Sequence, residues 1–235
     1  MTSVPQALAR VQTRIDQAAI TVGRDPATIR MLLAVKTVPS PTVREAIAAG
    51  GTLLGHNRAQ ELLSMEPDLA DVEHQTHFIG HLQSNKAGQV SRWVSCVQTV
   101  DSFSLAQRLS RVRPQYSDHP LDIMVQVNTS GEPTKSGVAP RQAADLIASV
   151  AQLPALRLRG LMTIGANSTD IGRVRASYDA LAQLREQTHA AAIPGAENAT
   201  ELSMGMSGDL EIAVEAGATM VRIGSAVFGD RPSNR

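Results

Sequence analysis

The stretch Met31-Leu32-Leu33-Ala34-Val35-Lys36, running into Thr37-Val38-Pro39-Ser40-Pro41, decides how this chain is read. Five apolar residues end in a lysine and a short turn follows. Ser40-Pro41 then sets a cap and a proline at the first turn of a helix that Gly50-Gly51 stops. That is one strand-turn-helix unit. The same signals recur outward from it: further apolar runs lie at 52–55, 76–80, 94–100, 121–128, 156–164, 199–203 and 219–224. Helical stretches lie between them, opened by Asn57 with Gln60, by Ser84 and by Pro140. Eight alternations within 235 residues predict a parallel α/β fold, a closed (β/α)₈ TIM barrel in preference to a doubly wound open sheet. A single domain over residues 1–235 is expected. Ahead of the first strand, Leu8, Val11, Ile15, Ala18 and Val22 share one face of an extra N-terminal helix. Ser3 with Gln6 forms its capping box and Gly23 its stop.

Composition narrows the function class. Lys and Arg number 22 against 22 Asp and Glu, so no net positive charge is available to neutralise nucleic-acid phosphates or an anionic membrane surface. Aromatic residues make up 3% of the chain, too few for a base-stacking platform. A lone cysteine, Cys96, excludes an intrachain disulfide framework and a multi-cysteine metal site, and reads as core packing. No run approaches about 18 consecutive apolar residues, and the N-terminus lacks a basic-then-apolar signal. The expectation is a cytoplasmic protein acting on a small molecule, with neither nucleic acid nor membrane as partner. Without a secretion signal, the sequons at Asn128, Asn167 and Asn198 are coincidences.

Three clusters carry candidate chemistry. Only three of the 22 basic residues are lysines, and Lys36 stands at the carboxyl end of a predicted strand, the face where parallel α/β sites form. Burial there disfavours an ammonium and frees an amine to form a Schiff base with a carbonyl, although a lysine snorkelling into solvent fits the same position. The second cluster is a pair of glycine/serine turns, Ser203-Met204-Gly205-Met206-Ser207-Gly208-Asp209 after strand seven and Arg222-Ile223-Gly224-Ser225 after strand eight. Barrels commonly hold a phosphate there, on backbone N–H groups and hydroxyls, yet glycine and serine also simply make tight turns, with Ser207 as an ordinary cap. A strand-end lysine beside a phosphate cup suits a ligand with an aldehyde and a phosphate. The third is His77-Phe78-Ile79-Gly80-His81-Leu82-Gln83-Ser84-Asn85-Lys86. His74, His77 and His81 lack a carboxylate at ligand spacing, so this stretch reads as a polar loop rimming a pocket, and no metal is expected.

Taken together, these residues resemble the pyridoxal phosphate homeostasis proteins, single-domain relatives of the alanine racemase barrel. The resemblance runs along nearly the whole chain. It is carried by Ala34-Val35-Lys36-Thr37, Gly55-His56-Asn57-Arg58-Ala59-Gln60-Glu61, the 77–86 stretch, Gln126 through Glu132 with Lys135-Ser136-Gly137, Gly160 through Ile164, Leu202 through Ser207 and Met220 through Gly229. It implies an alanine racemase N-terminal-domain-like barrel that carries pyridoxal 5′-phosphate as a Schiff base on Lys36. By the same resemblance Ser203, Gly224 and Ser225 hold the phosphate, with Met204 and Gly205 beside them. Arg222 faces the pyridine nitrogen and Asn57 lies near the ring. The pattern departs at His56, where the family usually has glutamate, and at Val35, where it has serine or threonine.

The resemblance further implies a carrier active in cofactor homeostasis and delivery, not an enzyme. An arginine beside the pyridine nitrogen keeps it unprotonated and weakens the electron sink that amino-acid chemistry needs. The related racemases complete their sites with a second, C-terminal domain, whereas this chain ends at Arg235, just after the last barrel helix. The expected state is a monomer whose partners are the cofactor and cofactor-dependent apo-enzymes. Two alternatives stay open at this level: a minimal racemase or lyase of the same fold, and an aldolase using Lys36 without a cofactor.

Overall fold

The computed structural model describes residues 3–229. Eight strands run in order around a closed parallel barrel: β1 (Arg30–Ala34), β2 (Leu53–His56), β3 (Gln75–Phe78), β4 (Cys96–Val100), β5 (Leu121–Gln126), β6 (Leu156–Met162), β7 (Glu201–Met206) and β8 (Met220–Ile223). The open-sheet alternative is thereby excluded. Each strand coincides with one of the eight apolar runs, but β7 reaches three residues beyond the predicted end at 203. Nine α-helices are assigned among the described residues: α1 (Val4–Thr21), α2 (Ser40–Ala48), α3 (Ala59–Met65), α4 (Ala87–Ser91), α5 (Phe103–Val112), α6 (Pro140–Ala151), α7 (Ile171–Ala190), α8 (Leu210–Glu215) and α9 (Ser225–Phe228). No helix among them is long and apolar enough to cross a membrane.

Helix α1 is the extra element. Ser3 and Gln6 close the expected capping box, and Ala7, Leu8, Val11, Ile15, Ala18 and Ala19 bury one face against α8, α9 and α2. Arg14 reaches across to Glu211 with a two-pronged ion pair at 2.6 and 2.9 Å, which fixes the helix over the 207–211 segment. The start of α2 differs from expectation. Ser40 is its first residue, Pro39 occupies the cap position, and the Ser40 hydroxyl donates to the Asp68 carboxylate at 2.7 Å instead of capping. Likewise α3 starts at Ala59 behind Arg58, and Asn57 is left free to face the barrel mouth.

Two layers of core follow from the strand period of two. Outward-facing residues such as Leu33, Leu54, Val97, Ile123 and Val221 pack under the helices. Inward-facing residues fill the barrel in small clusters, Leu32 with Leu53, Ile79 and Met220, and Cys96 with Met124 and Met162. Cys96 is core packing, with burial pushing its thiol pKa up. Buried polar side chains also face the interior, among them His77, Gln98, Ser203 and Arg222.

Candidate functional site

At the carboxyl ends of the strands a cavity of about 900 Å³ opens, walled by the β1, β7 and β8 turns. Lys36 stands on one wall, two residues past the end of β1, half-buried and in no ion pair among the described residues. Its neighbour Thr37 is held at φ +60, the left-handed region that a β-branched residue avoids, and donates its hydroxyl to the Lys36 carbonyl at 2.6 Å. A non-glycine backbone kept in such a conformation costs on the order of 1–3 kcal/mol, and strain of this kind concentrates at functional sites.

Across the cavity the β7 and β8 turns meet. Backbone N–H groups of Gly224 and Ala226 both point at the Ser207 hydroxyl oxygen, each at 3.3 Å. Gly208 and the exposed Ser225 complete the rim, and a Cβ at Gly208 would meet nothing within 4 Å. The alternative of Ser207 as a helix cap does not hold: Asp209 stands at the cap position of α8 without a side-chain cap bond, and its carboxylate accepts the Met206 N–H at 2.6 Å and the Tyr178 hydroxyl at 2.8 Å. Burial, then the nearby Asp209 charge, pushes the Tyr178 phenol well up.

Arg222 lies at the cavity floor, buried, and is locked from below. Its guanidinium donates to the Ser203 hydroxyl at 2.9 Å and the Thr163 carbonyl at 2.8 Å. Ser203 in turn donates to the Gln98 side-chain carbonyl at 2.6 Å, and the Gln98 amide lies 2.8 Å from His77 Nδ1. This chain crosses the barrel interior. Burial, and secondarily the charge of Arg30, holds His77 down at a pKa of about 3, so its ring stays neutral and accepts from Gln98. Burial also lowers the pKa of Arg222.

The predicted residues therefore divide. Lys36, Asn57, Arg222, Gly224 and Ser225 share the cavity. Ser203, Met204 and Gly205 do not line it, because β7 continues through them to Met206. Ser203 faces the barrel axis beneath Arg222, Met204 packs outward in the helix-facing core, and Gly205 at φ +92 sits where a Cβ would strike Ala213 at 2.4 Å. The turn residues Ser207 and Gly208 occupy the rim instead. Both stood in the quoted motif; a strand that ended later was the missing signal. Val35 is buried in the helix-facing core and His56 in a cluster with Glu66, Nε2 to Oε1 3.4 Å, so neither departure from the family pattern reaches the cavity. The histidines separate too: His74 contacts Glu66, and His81 is exposed. No metal-holding group of three occurs among the described residues.

A closed eight-stranded parallel barrel with a lysine just beyond β1 and a hydroxyl-and-amide cup between β7 and β8 defines the class. The chain belongs to the alanine racemase N-terminal domain family, whose model matches residues 30–232. Among its relatives, the pyridoxal phosphate homeostasis protein of Pseudomonas aeruginosa is 45% identical over 231 residues, covering 98% of this chain and 97% of its own. The protein of that name from Escherichia coli is 38% identical, covering 98% of each chain. PipY of Synechococcus elongatus, solved with pyridoxal phosphate bound, superposes with a TM-score of 0.81 at 29% identity, over 97% of this chain and all of its own. Alanine racemase of Clostridium difficile shares the fold alone, with a TM-score of 0.74 at 14% identity, over 96% of this chain and 57% of its own.

Proposed function

We propose that this protein binds pyridoxal 5′-phosphate covalently through Lys36 and takes part in the homeostasis and delivery of that cofactor, without catalytic turnover. The observation that carries the reading is the donor set of the large cavity. One amine, one buried guanidinium and a hydroxyl-amide cup occupy a single concave site. An aldehyde with a phosphate supplies the electrophile: it joins the lysine amine as an imine with release of one water. The residues present suit such a group. The Ser207, Gly208, Gly224 and Ser225 turns present N–H and O–H donors to a phosphate, and Asn57 offers a side-chain amide to the ring edge. Arg222, held rigid by Ser203 and Thr163, presents a cationic donor that disfavours protonation of a ring nitrogen.

The composition of the same cavity supports the absence of turnover. Lys36 and Arg222 are its titratable side chains among the described residues; no carboxylate, imidazole, phenol or thiol lines it. Racemisation or decarboxylation needs a second acid or base at the substrate's reacting carbon. The partners this reading implies are apo-enzymes that receive the cofactor. The test is an absorption spectrum of the protein incubated with pyridoxal phosphate, followed by borohydride reduction and peptide mass mapping. The adduct is expected on Lys36 and is lost in Lys36→Ala, which keeps its thermal transition. An adduct on Lys86 or Lys135 in the native protein overturns the assignment. Turnover of D- or L-alanine that vanishes in Lys36→Ala overturns the carrier role.

A further inference from the structure

Beside the large cavity lies a second concavity of about 220 Å³, formed by the start of α3 and the loop that follows β3. It takes up the 77–86 motif that the first site leaves almost unused. Arg58, Lys86 and His81 line it, together with the side-chain amides of Gln60, Gln83 and Gln89. No carboxylate among the described residues lines it. Arg58 and Lys86 form no ion pair among the described residues, a state they share with other cations such as Arg92 and Arg108; what sets them apart is that both line one concavity. His81 lies 3.9 Å from the Asp101 carboxylate, which stands outside the lining.

In a chain of zero net charge, two unpaired cations lining one concavity together with neutral amide donors make a local field that favours an anion. The volume falls below the roughly 300–1,000 Å³ of pockets that enclose whole drug-sized ligands, so a compact anionic head is what fits. Arginine and lysine together match the tetrahedral oxygens of a phosphate, the guanidinium by paired donors and the ammonium as a point charge.

We propose that this second cavity is a binding site for the phosphate group of a small phosphate monoester, separate from the large cavity and able to fill at the same time. The assignment is independent of which ligand the large cavity holds. The two sites share Asn57, and Gly80 presses the β3 loop so closely onto it that an added Cβ would stand 1.8 Å from the Asn57 carbonyl oxygen. A ligand in one therefore abuts the wall of the other.

The test uses full-length ¹⁵N-labelled protein titrated with inorganic phosphate and with glycerol 3-phosphate, at constant ionic strength. Saturable shifts are expected at the backbone amides of 58–60 and 81–89, and they persist after the large cavity has been loaded and reduced onto Lys36. The double variant Arg58→Gln with Lys86→Gln weakens this binding by about tenfold or more while the melting temperature and the loading of Lys36 stay unchanged. Shifts confined to 207–226, shifts that never saturate, or a double variant that binds as tightly as the parent overturn the proposal. So does a polyglutamate peptide that shifts 58–89 where phosphate does not, since that outcome marks an acidic protein surface as the partner. Failure here with normal Lys36 loading leaves the first site standing; failure of Lys36 loading with intact phosphate shifts does the reverse.

Discussion

Ser203→Ala separates a structural role for this serine from a ligand-binding one. Its hydroxyl is fully buried, donates to Gln98 Oε1 at 2.6 Å and accepts from Arg222 Nη1 at 2.9 Å. Truncation removes a neutral bond of about 1 kcal/mol and a charge-assisted one of about 1.5–3 kcal/mol, for a loss of roughly 2.5–4 kcal/mol. The cost stays near the top of that range because the Gln98 carbonyl and one Arg222 donor are stranded in the barrel interior, and Arg222 stays anchored only by Thr163. For a chain of this size each kcal/mol moves the melting temperature by about 2–4 °C, so a drop of roughly 8–16 °C is expected. Thermal unfolding followed by circular dichroism reads that drop. An absorption titration with pyridoxal phosphate and with unphosphorylated pyridoxal reads the second consequence: both weaken by the same modest factor, since Ser203 lies beneath Arg222 and outside the cup. An unchanged melting temperature together with selective loss of the phosphorylated ligand would refute the reasoning.

Three other outcomes follow from the same geometry. Ser207→Ala combined with Ser225→Ala should weaken pyridoxal phosphate by about 1.5–3 kcal/mol per lost donor and leave pyridoxal nearly untouched, as competing titrations will reveal; equal losses show that the cup does not see phosphate. His77, held at about 3 in the fold against 6.5 unfolded, makes stability fall as pH drops below about 6.5, because the unfolded chain then binds a proton the folded one refuses. Urea unfolding between pH 7 and 5 checks this by comparison with a His77→Gln protein, in which any contribution from the lowered pKa of Glu66 near the acid end is the same; a His77→Gln protein with the same slope contradicts it. Gly80→Ala drives a Cβ into the Asn57 carbonyl oxygen and should cost roughly 3 kcal/mol or more along with Lys36 loading, whereas Gly208→Ala, with open space around it, leaves the fold intact; equal urea midpoints for the two would contradict the close approach.

Much of this was legible because it is local. The strand-turn-helix alternation depends on apolar runs, capping residues and prolines only a few positions apart. Lys36 betrayed itself by ending an apolar run, and Gly224-Ser225 by following one. The position of Ser203 was not legible in the same way. The residues Ser203 through Gly208 look alike in sequence whether the strand stops at 203 or at 206, and hydroxyls in either place are good phosphate donors.

The sequence by itself therefore determined the barrel, its N-terminal helix and the wall that carries the lysine, since periodicity and turn chemistry encode them residue by residue. Tertiary structure alone decided which serines face the ligand cavity. Strand β7 pairs Ser203 with Met162 on one side and Met220 on the other, and its register against β8 slips between Ser203 and Met206. Those two in-register, inward-facing neighbours hold Ser203 toward the barrel axis, and the slip beyond it coincides with Gly205 in its left-handed conformation and ends with Ser207 at the rim. Register in a closed barrel is fixed by the neighbours on both sides of a strand, more than forty residues upstream and some seventeen downstream, and no short window of sequence contains them.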